Sequence, residues 1–103
     1  YVIKAIEIIK ARFTQKISIE SISEELGISS SYLSRKFKEE TGHTYLDFVN
    51  SYRIQQAIKL LDEGVYRVYQ ISDMTGFTDY KHFCAVFKKY TNTSPTEFVK
   101  KKM

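Results

Sequence analysis

The chain has 103 residues, 43% of them hydrophobic and 27% charged, and a formal net charge of +4. That length suits one compact domain or two very small subdomains, whose neighbouring helices must share a thin core. No apolar run approaches the length of a membrane span, no signal-peptide pattern opens the chain, and the single cysteine, Cys84, excludes an internal disulfide.

One thiol suits a reducing compartment, so a cytoplasmic location is expected. The mild basic excess is consistent with nucleic acid or an anionic membrane surface. The first residue is Tyr1 rather than Met. The chain is therefore expected to be a fragment or a processed product, with regulatory domains upstream.

Proline occurs once, at Pro95, and glycine only at Gly27, Gly42, Gly64 and Gly76. The β-branched residues are scattered at helical spacing rather than alternating, which points to an all-α fold. A first helix is expected from Val2 to Phe13, with Val2, Ile6, Ile9 and Phe13 on one stripe. Ser18 can cap a second, from Ile19 to Leu26, that Gly27 ends. A third starts after Ser29 and runs to Thr41, ended by Gly42. Thr44 and Asp47 form a capping box that opens a long helix to Glu63, stopped by Gly64. A fifth covers Val68 to Thr75 and ends at Gly76, and a sixth spans Asp79 to Tyr90. The seventh begins at Ser94-Pro95-Thr96-Glu97: a cap, a proline at the first helical position and a glutamate at the third.

The sequence copies itself with a period of about 50 residues. Ile22-Ser23 and Gly27 recur as Ile71-Ser72 and Gly76. Leu33, Phe37-Lys38 and Thr41 recur as Phe83, Phe87-Lys88 and Thr91, and Phe48-Val49 recurs as Phe98-Val99. The second copy has one extra residue between its glycine and its Phe-Lys pair. Each copy is a short helix, a glycine-containing turn and a longer amphipathic helix, the helix-turn-helix plan. Ser23 and Ser72 are small enough to let the paired helices cross closely. Ile28 and Phe77 should plug the gap between them. Leu33, Phe37, Phe83 and Phe87 should point into the core. The expected architecture is thus seven helices in two helix-turn-helix subdomains joined by a long central helix. The first unit covers residues 1–43, the linker helix 44–64 and the second unit 65–103.

On these residues the chain resembles the DNA-binding domain of the AraC/XylS family of transcription regulators, from about Ile17 to Val99. The second copy carries the family's signature region in Ile71, Gly76-Phe77, Phe83, Phe87-Lys88, Ser94-Pro95 and Phe98. The first matches through Ser29, Tyr32-Leu33, Arg35, Phe37-Lys38 and Thr41-Gly42, and the linker through Arg53-Ile54, Ala57 and Leu60-Leu61. The leading helix is similar to that of members fused behind a receiver or sensor domain.

Five positions depart from the family pattern. Ser23 and Ser72 stand where Ala is usual. Asn92 stands where Gly is usual, at a position expected to need φ > 0. Val99 and Ala85 each stand where Arg is common.

The resemblance implies two recognition helices, about 30–41 and 79–90, entering successive major grooves of double-stranded DNA about 34 Å apart. On the first, Ser31, Ser34, Arg35 and Lys38 share the stripe opposite Leu33 and Phe37. Arg35 can grip guanine O6 and N7 with two hydrogen bonds. Ser30, Ser31 and Ser34 are short enough to approach base edges or phosphates closely; by resemblance, Ser31, Ser34 and Arg35 fall at base-touching positions. On the second, Lys81, Cys84, Ala85 and Lys88 form the outer stripe, with Tyr80 near its start. Lys81 could reach guanine or a phosphate, and Cys84 and Ala85 suit thymine methyl groups. The candidate base contacts are therefore Ser30, Ser31, Ser34, Arg35, Tyr80, Lys81, Cys84 and Ala85.

The phosphate candidates are Lys36, Lys38, Lys88, Lys89 and the helix starts at Ser29 and Thr78, where free N–H groups and the helix dipole attract anions. Arg35 in one copy against Ala85 in the other suggests that the first unit reads bases while the second anchors and reads shape. Tyr32 is expected to pack at the helix edge. Lys100, Lys101 and Lys102 form a basic tail.

No Ser/His/Asp arrangement, phosphate loop or pair of catalytic carboxylates emerges at interpretable spacing. His43 and His82 have no metal-ligand partner, and His82 and Cys84, two apart on a helix, point in different directions. No enzymatic activity, cofactor or metal is expected. The family implies RNA polymerase as a second partner where the regulator activates, and an N-terminal sensor, receiver or effector domain. A helical interaction module that kept the fold and weakened its DNA contacts is the alternative that Ala85 and Val99 raise.

Overall fold

A computed structural model describes residues 1–102, with side chains as far as Lys100. Among these residues there are seven α-helices and no strand: α1 (Val2–Arg12), α2 (Ile19–Leu26), α3 (Ser30–Thr41), α4 (Tyr45–Glu63), α5 (Val68–Met74), α6 (Tyr80–Thr91) and α7 (Pro95–Lys102). No described helix is long and apolar enough to cross a membrane. The chain divides into two compact units, Tyr1–Asn50 and the residues from Ser51 onward, and the division falls inside α4.

Local chemistry sets most of the helix ends. Ser18 Oγ accepts from Ser21 N–H at 3.1 Å, and Ser18 N–H donates back to Ser21 Oγ at 3.4 Å, so two orphan donors are satisfied at the start of α2. Thr44 Oγ1 accepts from Asp47 N–H at 3.1 Å to open α4, and Ser94 Oγ accepts from Glu97 N–H at 3.2 Å to open α7. At the other ends, Gly27 and Gly42 take left-handed conformations that terminate α2 and α3. Asn92 ends α6 with φ 65°, the one described non-glycine residue with positive φ. The departure from glycine there is tolerated because asparagine pays the smallest steric cost in that region.

Four boundaries differ from the sequence expectation, one of them the end of α6, which runs to Thr91 rather than Tyr90. Helix α1 stops at Arg12 rather than Phe13, and α5 at Met74 rather than Thr75. Helix α6 starts one residue later than expected, at Tyr80, because the Asp79 carboxylate turns back to accept Lys81 N–H at 2.9 Å.

In the first unit α2 packs on α3 and α1 on α3. Val2, Ala5 and Ile9 of α1, Ile22 of α2, Leu33 and Phe37 of α3 and Val49 of α4 are buried together, with Ile28 and Phe48 packed against them. Ser23 is buried where α2 meets its partner, and its hydroxyl donates to Glu20 O at 2.9 Å, so the polar atom is satisfied. The second unit repeats the plan: α5 packs on α6, and α6 on α7. Ile71, Phe77, Phe83, Val86 and Phe87 close over Ile54, Ala57 and Leu61 of α4. The expected central helix is therefore part of both cores, through Val49 in one and Ile54, Ala57 and Leu61 in the other.

The internal repeat is visible in detail. Phe37 and Phe48 meet edge to face at 5.2 Å, and Phe87 and Phe98 do so at 5.6 Å. Thr41 Oγ1 reaches Phe37 O (2.7 Å) and His43 O and accepts from His43 N–H; Thr91 Oγ1 likewise reaches Phe87 O (2.8 Å) and Thr93 O and accepts from Thr93 N–H. One hydroxyl thus clasps the end of each longer helix to the strap that follows it.

Candidate nucleic-acid interface

Helix α3 is built to display one face. Burial of Leu33 and Phe37 fixes its rotation, and helical geometry then turns Ser31, Ser34, Arg35 and Lys38 outward, where all four are exposed. Ser30 is half-buried at the first turn. Together with Ile19 and Glu20 of α2 and with Glu39, these five residues line an open groove of about 610 Å³. The structure therefore brings Ser30, Ser31, Ser34, Arg35 and Lys38 to one concave surface.

The charges on this face are unequal in their freedom. Lys36 is half-buried, and its ammonium lies 3.5 Å from Glu39. Among the described residues Arg35 and Lys38 have no carboxylate within ion-pair distance, so both are available to an external anion or base. The Arg35 guanidinium instead sits over the Tyr32 ring, 5.5 Å from its centroid. Ser29 caps α3 by accepting Tyr32 N–H at 3.1 Å, which leaves its own O–H free to donate. This end carries no acidic residue in its first turn. A neutral cap and uncancelled N–H groups make it the better anion-facing helix start of the two.

Helix α6 shows a different face. Lys81, Ala85, Lys88 and Lys89 are exposed, and Lys89 Nζ lies 5.7 Å from the Tyr90 ring centroid. Cys84 is half-buried and packs against the second core, at the margin of the outer stripe rather than its centre, because it adjoins the inward-pointing Phe83. The Tyr80 ring leans on Phe83 with centroids 6.2 Å apart. Partial desolvation first, and then the Cys84 thiol, raise the Tyr80 hydroxyl above the ordinary tyrosine pKa, while Thr96 pulls the other way. The tip of Tyr80 is thus engaged within its own unit. Thr78 is exposed but lies outside the helix; the helix start belongs to Asp79, whose carboxylate already occupies an N–H that a phosphate would seek.

Sequence reasoning gave Tyr32 only an edge-packing role and assigned no role to Asp79 or Glu20. The signals were present: Tyr32 precedes Arg35 by three residues, one helical turn, and Asp79 is an N-cap residue type directly before a helical run. No group of three or more His, Cys, Asp or Glu side chains among the described residues could hold a metal ion. The side chains of Lys101 and Lys102 in the basic tail lie outside the described ones.

Two glycine-punctuated helix pairs, each with a longer second helix that turns one face to the core and the other to solvent, define a double helix-turn-helix protein. Comparison with known proteins agrees: residues 22–101 match the family described as a helix-turn-helix domain. The transcriptional regulatory protein HptR of Staphylococcus aureus is 38% identical over 100 residues, which cover 97% of this chain and 39% of that protein. The C-terminal domain of AraT, a response regulator from Geobacillus stearothermophilus, superposes with a TM-score of 0.94 at 29% identity, over 99% of this chain and 85% of that one. A transcriptional regulator from Chromobacterium violaceum, described as having an AraC-type DNA-binding domain, superposes with a TM-score of 0.85 at 25% identity, covering 93% and 86%.

The chain belongs to the AraC-type helix-turn-helix family of DNA-binding transcription regulators. It spans 39% of the length of the curated relative it matches.

Proposed function

We propose that this chain is the double-stranded-DNA-reading part of a transcription regulator, with α3 and α6 as recognition helices in successive major grooves. The observation that carries the reading is the outward stripe of α3. Three hydroxyl side chains, an arginine and a lysine line one groove, and among the described residues the two cations have no carboxylate partner. Arg35 reads a guanine through a bidentate contact, with Ser31 and Ser34 beside it on neighbouring base edges. Ser30, Ser29, Lys36 and Lys38 hold the phosphate backbone or the groove wall around them.

The second unit contributes differently. Lys81 and Ala85 face a groove, Cys84 meets it at the margin, and Lys88 and Lys89 serve the phosphates. This unit supplies register and shape reading more than base identity. An N-terminal sensor, receiver or effector domain, and RNA polymerase where the regulator activates, complete the partners of the whole protein.

The test is selection of bound sequences from random duplexes at about 150 mM salt, followed by titration of the winner against scrambled DNA. The expected result is an asymmetric motif of about two turns, at least ~10³ tighter than scrambled sequence. Arg35→Ala should relax one base pair, with a loss of about 1–3 kcal/mol of discrimination, while Lys81→Ala should weaken all sequences alike. Equal relaxation of base preference by both variants would sink the division of labour. Binding without enrichment that vanishes as salt rises would replace the whole reading with an interaction module.

A further inference from the structure

We propose that Tyr32 is a positioning residue for base recognition: its ring holds the Arg35 guanidinium in a pre-aimed orientation on the surface of α3. The proposal rests on the reading of α3 as a recognition helix. The geometry is a short stack on an exposed helix face. Arg35 Cζ lies 5.5 Å from the Tyr32 ring centroid, within the range of a cation–π contact. Tyr1 meets the same ring nearly at right angles, with centroids 6.2 Å apart and an interplanar angle of 86°. The ring is therefore in contact both with α1's N-cap residue and with a cation.

Chemistry decides why this contact suits a reader. An exposed arginine has many rotamers, and binding in one of them costs conformational entropy. A carboxylate partner would restrict the side chain too, but it would occupy the same N–H fork that guanine needs. An aromatic face restricts the guanidinium and leaves its in-plane N–H groups free for O6 and N7. Arg35 has the aromatic contact and, among the described residues, no carboxylate. Lys36 shows the contrast: its ammonium is also 5.9 Å from the Tyr32 centroid, yet it is drawn to Glu39 at 3.5 Å. Tyr32 thereby sorts two neighbouring cations into an aimed one and a paired one.

The test uses Tyr32→Phe, Tyr32→Leu, Tyr32→Gln, Arg35→Ala and the double variant Tyr32→Leu/Arg35→Ala. Each is measured on the selected duplex, on the duplex altered at the base pair that Arg35→Ala relaxes, and on scrambled DNA. Tyr32→Phe keeps the ring and should keep wild-type discrimination. Tyr32→Leu and Tyr32→Gln should each lower discrimination at that one base pair by about two- to fivefold, the scale of an exposed cation–π contact. Discrimination at other base pairs and affinity for scrambled DNA should stay unchanged. In the Arg35→Ala background, Tyr32→Leu should have no further effect on discrimination, a coupling that a merely structural role would not show.

A uniform loss on all sequences in Tyr32→Phe and Tyr32→Leu alike would overturn the proposal and make the hydroxyl a phosphate contact. Relaxation by Arg35→Ala with none by Tyr32→Leu or Tyr32→Gln would also overturn it, while leaving α3 as a reader. If Arg35→Ala relaxes no base pair, the reading of α3 fails first, and the two failures are told apart by that single variant.

Discussion

Arg12 and Glu25 tie α1 to α2 through two parallel hydrogen bonds, 2.9 and 3.0 Å long, between exposed side chains. The hydrogen bonds from Arg12, ahead of its charge, hold the Glu25 carboxyl below the usual glutamate value, and the same pair raises Arg12. A carboxyl whose folded pKa is depressed adds stability that is complete above its unfolded value, and that stability is lost as pH falls through the folded value. Glu25→Gln should therefore melt slightly below the wild type at neutral pH. The two melting curves should converge as the pH drops below the ordinary glutamate value of about 4.3. Thermal melts at a series of pH values check this; an offset that persists unchanged into acid would mean that the pair does not act through ionisation. Both side chains are well exposed, so added salt should shrink the difference.

Among the elements, α3 and α6 are matched in frame and unmatched in charge at their starts. Each has twelve residues, an N-cap side chain that accepts from the first turn and a left-handed residue at its end. Ser29 caps one with a neutral hydroxyl, and Asp79 caps the other with a carboxylate. A negative charge at an N-terminus suits the helix dipole and repels an approaching phosphate. Asp79→Ser keeps a capping oxygen and removes the charge. It should raise low-salt affinity for any duplex by about two- to fivefold, matching ~0.3–1 kcal/mol for a charge at a helix end. Fluorescence anisotropy at two salt concentrations reads this; no change at low salt would place the start of α6 away from the phosphates.

The repeat makes both frames legible in the sequence, because Leu33, Phe37, Phe83 and Phe87 occupy fixed steps and the glycines and Asn92 mark the ends. The stripe of α3 was legible for the same reason, since fixing two inward residues fixes the outward ones. Three features were not. Ala5 is fully buried on α1, where small size rather than a large apolar side chain lets the helix approach. Cys84 sits at a face boundary, where helical spacing alone does not separate core from surface. The spacing of Tyr32 and Arg35 allowed a contact, but whether the two side chains meet depends on rotamers, which spacing does not fix.

At the scale of the whole chain, the buried residues fall into two clusters with no member in common. Each serves a unit of about half the chain, so each core is small. Phe83 is fully buried in the second cluster and meets Phe77 and Phe87 at 5.2 and 5.8 Å. Phe83→Ala should cost about 3–5 kcal/mol, comparable with all that a core of this size supplies. Native-state hydrogen exchange should then show amides from α5 to α7 losing protection while those of α2 and α3 keep it. Equal loss throughout would mean that the two units unfold as one.

The matched frames of α3 and α6 have a consequence for how such a chain changes its target. Length, caps and inward aromatic or aliphatic anchors define each helix, and none of those features lies on the stripe that faces outward. Positions 31, 34, 35 and 38 in one helix correspond to 81, 84, 85 and 88 in the other, yet only Lys38 and Lys88 are alike. Between the two halves, the features that set the fold are alike and the outward residues are not. The outward residues of one half can therefore change without disturbing the fold of either.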